Sequence, residues 1–398
     1  VKRRHQAGLA GCAAFALFAL MHHLAPALYL FISAIPDGAR KPTPFIDLSA
    51  ILQARQCWLR GVNVYAPSSC LGGGVYNYTP FLLRLPLPNP SATATGGIAL
   101  ALLFFASLSL LPPPASSTAA RARLAATLSP ATYYAIEQAN LDLTMFVLAA
   151  TGLWLATRSG RIAWLGQASF LLGAAIKFYP AALLILLARE RLALCLTLAA
   201  TAALAAALLL ATDAHGISTA LAIIPSGTPF RATFGAIDLF RGLATWHIIP
   251  RNPALVRGLT SLASLTLLAA ILATGRPALR PLRILPPATA IFLLGGASVI
   301  LLCFITAQNV EYRAIFLLLT FPALGYIPRG RYLRAAITAL LWEAALRKLV
   351  ANTALFPSFW LTREALWWWL TFELGRYPAG FLQAECTRLW REAKAVAF

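Results

Sequence analysis

The chain has 398 residues, 59% of them hydrophobic, and a mean hydropathy of +0.72. Apolar runs long enough to cross a hydrocarbon core of ~30 Å recur along its length, and so many cannot share one interior, which excludes a soluble globular protein. The 33 Lys and Arg outnumber the 13 Asp and Glu to give a charge of +20, but they sit in short clusters between apolar spans, where they set membrane orientation; this argues against a nucleic-acid partner.

The first span, near 8–35, follows Lys2, Arg3 and Arg4. It is too long for a secretory signal and has no evident small-residue cleavage site, so it reads as a retained signal anchor. Further spans are expected near 96–112, 122–136, 141–157, 162–176, 178–188, 192–212, 258–275, 285–307, 314–328, 335–351 and 355–372. The fold class is an all-α polytopic membrane protein, a single integral domain over 1–398 with about 10–12 crossings. Basic residues fall on one side of these spans: Arg121 and Arg123, Arg158 and Arg161, Arg189 and Arg191, Arg276, Arg280 and Arg283, then Arg329, Arg331 and Arg334. The positive-inside rule makes that side cytoplasmic, together with the N-terminus.

Segments 122–136 and 162–188 read as broken or re-entrant, which a membrane tolerates where irregular backbone is buried in protein or lines a cavity. In Lys177-Phe178-Tyr179-Pro180 the proline removes a donor and disfavours helix before it, so a break is predicted there. One continuous helix through Lys177 is the competing arrangement, and it would invert every later loop.

Two external segments, 36–95 and 213–257, are too long to be connectors. They carry Trp58, Tyr65, Tyr76, Tyr78, Phe230, Phe234, Trp246 and His247, a mix suited to a headgroup or sugar surface, or to an interfacial aromatic belt. Trp367, Trp368 and Trp369 read as belt residues. The tail over 376–398, with Arg388, Arg391 and Lys394 against Leu389 and Trp390, reads as an amphipathic helix on the inner leaflet.

Cys12, Cys195 and Cys303 lie in apolar spans as packing residues, and Cys386 is in the tail. Cys57 and Cys70 share the first external loop, where an oxidising compartment favours a disulfide; two free thiols are the alternative. No Cys/His spacing resembles a zinc site, and His22 and His23 are adjacent rather than helically spaced.

In the first loop, Ile46, Ala50, Ile51, Ala54 and Trp58 repeat on roughly one face, the pattern of a helix lying flat on the membrane. Asp47 opens that helix, as a capping residue or as a base for an approaching hydroxyl. Asp47, Glu137, Asp142 and Glu311 all fall at external ends of spans, where a carboxylate is costly unless paired, wet or functional. Glu137 and Asn140 have i,i+3 spacing, with Asp142 pointing elsewhere. Glu137 could orient a substrate or pair with Arg313. Asn309 and Tyr312, flanking Glu311, could bond a sugar or satisfy a loop. Lys177 between apolar segments and Arg313 beside a span end are the cations available to an anionic ligand.

Four stretches in order resemble bacterial membrane proteins related to glycosyltransferase family 87, of the GT-C superfamily. The first is FIDL at Phe45, followed by Cys57, Gly61, Val64, Tyr65, Cys70 and the run Asn77-Tyr78-Thr79-Pro80. The second is EQANLDLTMF from Glu137, similar to a signature E-R-G-N-x-D, with Gln138 and Ala139 in place of its Arg-Gly. The third is AAIKFYPAALLIL from Ala174, and the fourth AQNVEYRAIFLLLTFPAL from Ala307. The resemblance covers about 45–325.

It implies a GT-C-like bundle with an external juxtamembrane helix, in the bacterial inner membrane with a periplasmic active site. It also implies an inverting hexosyl- or pentosyltransferase that moves a sugar from a polyprenyl-phosphate donor to a lipid or glycan acceptor, among membrane lipids. Asp47 carries over as catalytic base, since the acid in the first external loop plays that part in GT-C enzymes. Lys177 and Arg313 would then hold the donor phosphate, with Glu137, Asn140, Asp142, Tyr78, Tyr179, Asn309, Glu311 and Tyr312 binding or organising substrate. A divalent cation such as Mg or Mn is compatible with this chemistry and is not required by the sequence. The alternative is a secondary transporter or flippase of lipid-linked sugars, which would also use broken helices and buried ionisable groups.

Overall fold

The computed structural model describes residues 2–36, 38, 43–158, 161–223 and 227–397, and the side chains of Lys2, Arg3, Arg161, Val396 and Ala397 lie outside the described ones. The chain opens with α1 (Lys2–Leu24) and a short α2 (Pro26–Ser33). Pro26 cannot donate to the helix before it and suits a first turn, so the span expected over 8–35 is two pieces. The helix expected in the first loop is α3 (Ile46–Leu59), followed by α4 (Pro80–Arg84) and α5 (Thr93–Ser107). The expected span 122–136 is divided into α6 (Ser117–Thr127) and α7 (Pro130–Gln138). Ser116 and Ser129 begin these helices, their hydroxyls accepting from the N–H of Ala119 and Thr132 at 3.1 and 3.3 Å.

α8 (Leu141–Ala156) leaves α7 at an angle of 110°. α9 (Arg161–Ile176) stops before Lys177, and Tyr179–Arg189 continues as a 3-10 helix with Pro180 in its first turn. The break predicted from the proline is present. Next come α10 (Leu192–Ala222), β1 (Thr233–Phe234), α11 (Ala236–Thr245), α12 (Pro253–Ile284) and α13 (Pro287–Thr306). β2 (Asn309–Val310) pairs antiparallel with β1, Phe234 opposite Asn309. A 3-10 helix over Glu311–Thr320 leads to α14 (Gly330–Leu341), α15 (Glu343–Val350) and the 42-residue α16 (Phe356–Ala397).

Among the described residues five helices are long and apolar enough to cross a membrane: Arg4–Leu24, Pro90–Leu110, Leu192–Ala222, Pro253–Ile284 and Pro287–Thr306. The bent pair α7–α8 makes a sixth if taken as one span, so the protein is an all-α, multi-pass membrane protein. The 10–12 crossings expected from sequence are not matched by as many long apolar helices among the described residues. Segments 178–188 and 314–328 fold largely as 3-10 helix, and 335–351 divides at Trp342. α13 is 72% buried in its apolar window while that of α10 is 0% buried, which makes α13 the centre of the bundle and turns α10 to the lipid.

The bundle has two unlike ends. At one, Arg4 Nε donates to Ser109 O at 2.6 Å, Arg189 to Ala156 O at 3.3 Å and Arg388 to Ala188 O at 2.7 Å. Arg123, read from sequence as an orientation charge, is buried there with a carbonyl partner in Leu108 at 2.5 Å, so it also closes chain ends. At the other end lie α3, the α7–α8 bend, the Lys177 break and the β1–β2 ribbon.

Several expectations need correction. The second long segment is partly helix: α10 runs to Ala222, beyond the expected limit of 212. Phe234 is no ligand surface, because it is buried and stacks on Trp367 at 4.2 Å. Trp367 is accordingly not a belt residue. Neighbours on a helix point ~100° apart, so three successive tryptophans cannot share one face. The tail 376–398 is not a separate amphipathic helix, since α16 continues unbroken through it to Ala397.

Candidate functional site

Asp47 sits in the first turn of α3, and Phe45 just before it fixes where that turn lies. Phe45 takes a left-handed conformation (φ 66°), its N–H donates to Glu137 O at 2.6 Å, and its ring covers Gly97 of α5. A Cβ on Gly97 would come within 2.4 Å of that ring, so glycine is what allows the approach. The helix start is therefore docked on the α7–α8 bend. Asp47 is not the cap the sequence reading allowed, because Phe45 occupies that position and no side chain caps α3.

The bend supplies the next group. Ala139 is left-handed (φ 44°), and Asn140 then begins α8, its Oδ1 accepting from the N–H of Asp142 at 2.9 Å. With Oδ1 so engaged, its Nδ2 donates to Asp47 Oδ2 at 2.5 Å. The i,i+3 reading of Glu137 with Asn140 fails because the helix ends between them. Asn140 and Asp142 belong together instead.

Asp142, fully buried, is the hub. Its Oδ1 accepts from Tyr179 Oη at 2.7 Å and from Lys177 Nζ, and its Oδ2 from Arg313 Nε at 3.2 Å. Lys177 Nζ also lies 3.4 Å from Asn140 Oδ1 and 5.3 Å from the ring of Tyr78. The Arg313 guanidinium stacks 4.7 Å from the Tyr179 ring and donates to Asn309 Oδ1. Tyr312 packs on Tyr134 at 5.3 Å, and both Tyr78 and Tyr312 are within electrostatic reach of Asp47. A buried carboxylate shared by two cations is held by the fixed geometry of three separate chain breaks, since each cation alone would be costly to bury.

Lys177 and Arg313 keep 11% and 18% of their side chains exposed, so the cluster opens to the surface on its cationic side. Each retains N–H groups beyond those given to Asp142, Asn140 and Asn309. Among the described residues no three Asp, Glu, His or Cys are grouped as a metal site needs.

Of the residues singled out from sequence, Asp47, Asn140, Asp142, Lys177, Tyr78, Tyr179, Asn309, Tyr312 and Arg313 come together. Glu137 and Glu311 do not join them. Glu137 accepts from Gln138 and lies in electrostatic reach of Tyr29 and Tyr133, while the carboxylate that pairs with Arg313 is Asp142. Glu311 is buried beside Glu343, Arg347 and Arg363 in a second polar cluster. There Arg363 pairs with Glu364 at 2.5 Å, and Gln308 donates to Asp238. Burial, then the charge of Glu364, pushes the Asp238 carboxyl up to about 7.

Cys57 and Cys70 form the expected disulfide, with Cα atoms 6.1 Å apart. It ties α3 to the loop that ends in Tyr78. Thr79 was not singled out, yet its hydroxyl donates to Ala175 O at 2.9 Å and Ile176 O at 3.2 Å. It thereby satisfies the end of α9 and seats Tyr78 over Lys177. The sequence marks Thr79 as part of the run Asn77-Tyr78-Thr79-Pro80 and gives it no role in the site. Tyr134, too, gave no signal.

No protein-family model matches the chain, and comparison with curated proteins and with solved structures returns no match.

Proposed function

We propose that the chain is a membrane glycosyltransferase of GT-C type, transferring a sugar from a polyprenyl-phosphate donor to a hydroxyl of a lipid or glycan acceptor at the bundle end away from Arg4, Arg189 and Arg388. That end is then the periplasmic face of a bacterial inner membrane. The observation that carries the reading is the link Asp47–Asn140–Asp142, which joins the half-buried carboxylate of Asp47 to Lys177 and Arg313.

Each group then has one task. Asp47 takes the proton of the acceptor hydroxyl as its oxygen bonds the anomeric carbon, which contributes roughly 10²–10⁴-fold. The bond from that carbon to the phosphate oxygen breaks with inversion, and the electron pair leaves on the lipid phosphate. Lys177 and Arg313 stabilise that charge with the N–H groups not given to Asp142. Asp142 itself is excluded as base, since its oxygens are taken by two cations and a phenol. The tyrosines Tyr78, Tyr179 and Tyr312 form the aromatic wall beside the cations.

The test is release of polyprenyl phosphate from polyprenyl-phosphate sugars by the purified chain in nanodiscs, with an acceptor panel and no ion gradient. Turnover that disappears in Asp47→Asn supports the reading. Gradient-dependent movement of the intact lipid-linked sugar, with no release, would replace it with transport.

A further inference from the structure

A lateral groove of about 580 Å³ lies between the start of α12, the end of α13 and the first turn of α11. It exists because α12 packs along α16 and touches α13 only lightly. Its volume is in the range of ligand pockets. Along α12 the lining changes character in order: Arg257 at the mouth, then Ser264, then Leu265 and Leu268, which face Phe304 of α13.

Two of these residues have unmet chemistry. The Ser264 hydroxyl is buried, 8% exposed, and has no hydrogen-bond partner. The threonines of α12 behave differently: Thr260, Thr266 and Thr274 each donate to the carbonyl four residues back, at 2.8, 2.9 and 2.7 Å, while Ser261, which also lines the groove, is exposed. Ser264 faces the groove buried and with its donor unspent, a costly arrangement unless something occupies it. Arg257 is exposed in the second turn of α12, near the start of a helix long and apolar enough to cross a membrane, and has no ion-pair partner among the described residues. Its neighbour Arg251 is occupied by the carbonyls of Ala244 and Thr245 at 3.3 and 2.9 Å.

We propose that the groove holds one anionic phospholipid of the surrounding membrane. Its phosphodiester sits on Arg257, an oxygen of its glycerol-ester region accepts from Ser264, and an acyl chain lies against Leu265, Leu268 and Phe304. Arg257, the one guanidinium among the described residues of the lining, matches the single charge of a phosphodiester; a phosphomonoester dianion would call on a second cation, and Arg251 is engaged. The lipid also backs the ion-pair cluster. Ala307 forms part of the groove wall and its carbonyl accepts from Asn309 Nδ2 at 2.8 Å, the same side chain that takes Arg313. This site stands whether or not the protein transfers sugars.

The experiment uses the full chain, delipidated in detergent, titrated with phosphatidylglycerol or phosphatidylcholine and followed by native mass spectrometry and thermal unfolding. Phosphatidylglycerol is expected to bind and raise the unfolding midpoint where phosphatidylcholine does not. Arg257→Gln, a surface change, weakens it about tenfold. Ser264→Leu, which fills the groove, abolishes it, and both variants keep the lipid-free midpoint. Equal binding of the two lipids, or unchanged phosphatidylglycerol binding in Arg257→Gln, would overturn the proposal. So would displacement by millimolar inorganic phosphate, which indicates a simple anion site, or by equimolar polyprenyl phosphate, which indicates a carrier site.

Discussion

Asn140 spans two helices to hold Asp47: its amide donates to the carboxylate at 2.5 Å while its oxygen begins α8. A side chain with both ends committed is a rigid positioning device. Asp47→Asn is expected to keep the fold and lower transfer by roughly 10²–10⁴-fold, the range for loss of a general base. Asn140→Ala should lower it less and also destabilise, by ~1 kcal/mol for the lost cap. Assays of sugar transfer beside thermal unfolding of the same variants separate the two effects, and an active Asp47→Asn would remove the assignment.

Asp142 has the opposite profile. Replacing it by alanine leaves Lys177 and Arg313 in a largely buried site without their carboxylate, a change that costs ~3–5 kcal/mol. The expected outcome is a protein that accumulates poorly and unfolds well below wild type. A variant as stable as wild type would show that the two cations find other partners.

What was legible in the sequence follows chain-local physics. The break at Lys177 was readable because Pro180 imposes it whatever packs around it. A helix in the first loop was readable from the spacing of Ile51 and Ala54, both of which it buries. The Asp47–Asn140 contact was not, since it joins positions 93 residues apart and depends on Phe45 fitting over Gly97. Glu311 was grouped wrongly because it lies two residues from Arg313. In a 3-10 helix of three residues per turn, positions two apart face different sides, so Arg313 reaches Asp142 while Glu311 turns to Glu343. Glu137 was misplaced for a related reason: helical spacing was counted through Ala139, whose left-handed conformation ends the helix.

The disulfide closes a loop of 13 residues, for which the chain-entropy argument gives ~3 kcal/mol. Reduction should lower the unfolding midpoint and shift electrophoretic mobility, and Cys57→Ser should be insensitive to reductant on both counts. Because Gln53 Nε2 also donates to Cys70 O at 2.8 Å, the loop keeps one tie to α3 after reduction, and Tyr78 should loosen rather than detach. A reductant effect that persists in Cys57→Ser would place its origin elsewhere.

The second cluster carries a pH dependence of its own. Burial of Asp238 in α11, and then the charge of Glu364 beside it, raises its carboxyl to about 7 against an ordinary value of 3.8. Between those two values the folded chain holds a proton that the unfolded chain has lost, so stability falls as pH rises. The contribution is fully present below about pH 4 and is lost as pH passes about 7, with a slope of at most ~1.4 kcal/mol per pH unit for one proton. Arg363, Gln308 and Thr233 oppose the shift, so weakening any of them should move the transition to higher pH. Thermal midpoints measured from pH 5 to 8 should decline for wild type more steeply than for Asp238→Asn, which has no carboxyl to ionise. Parallel curves for the two proteins would mean that the decline belongs to other acids, and that Asp238 is ionised throughout with Gln308 and Arg363 sufficient to hold its charge.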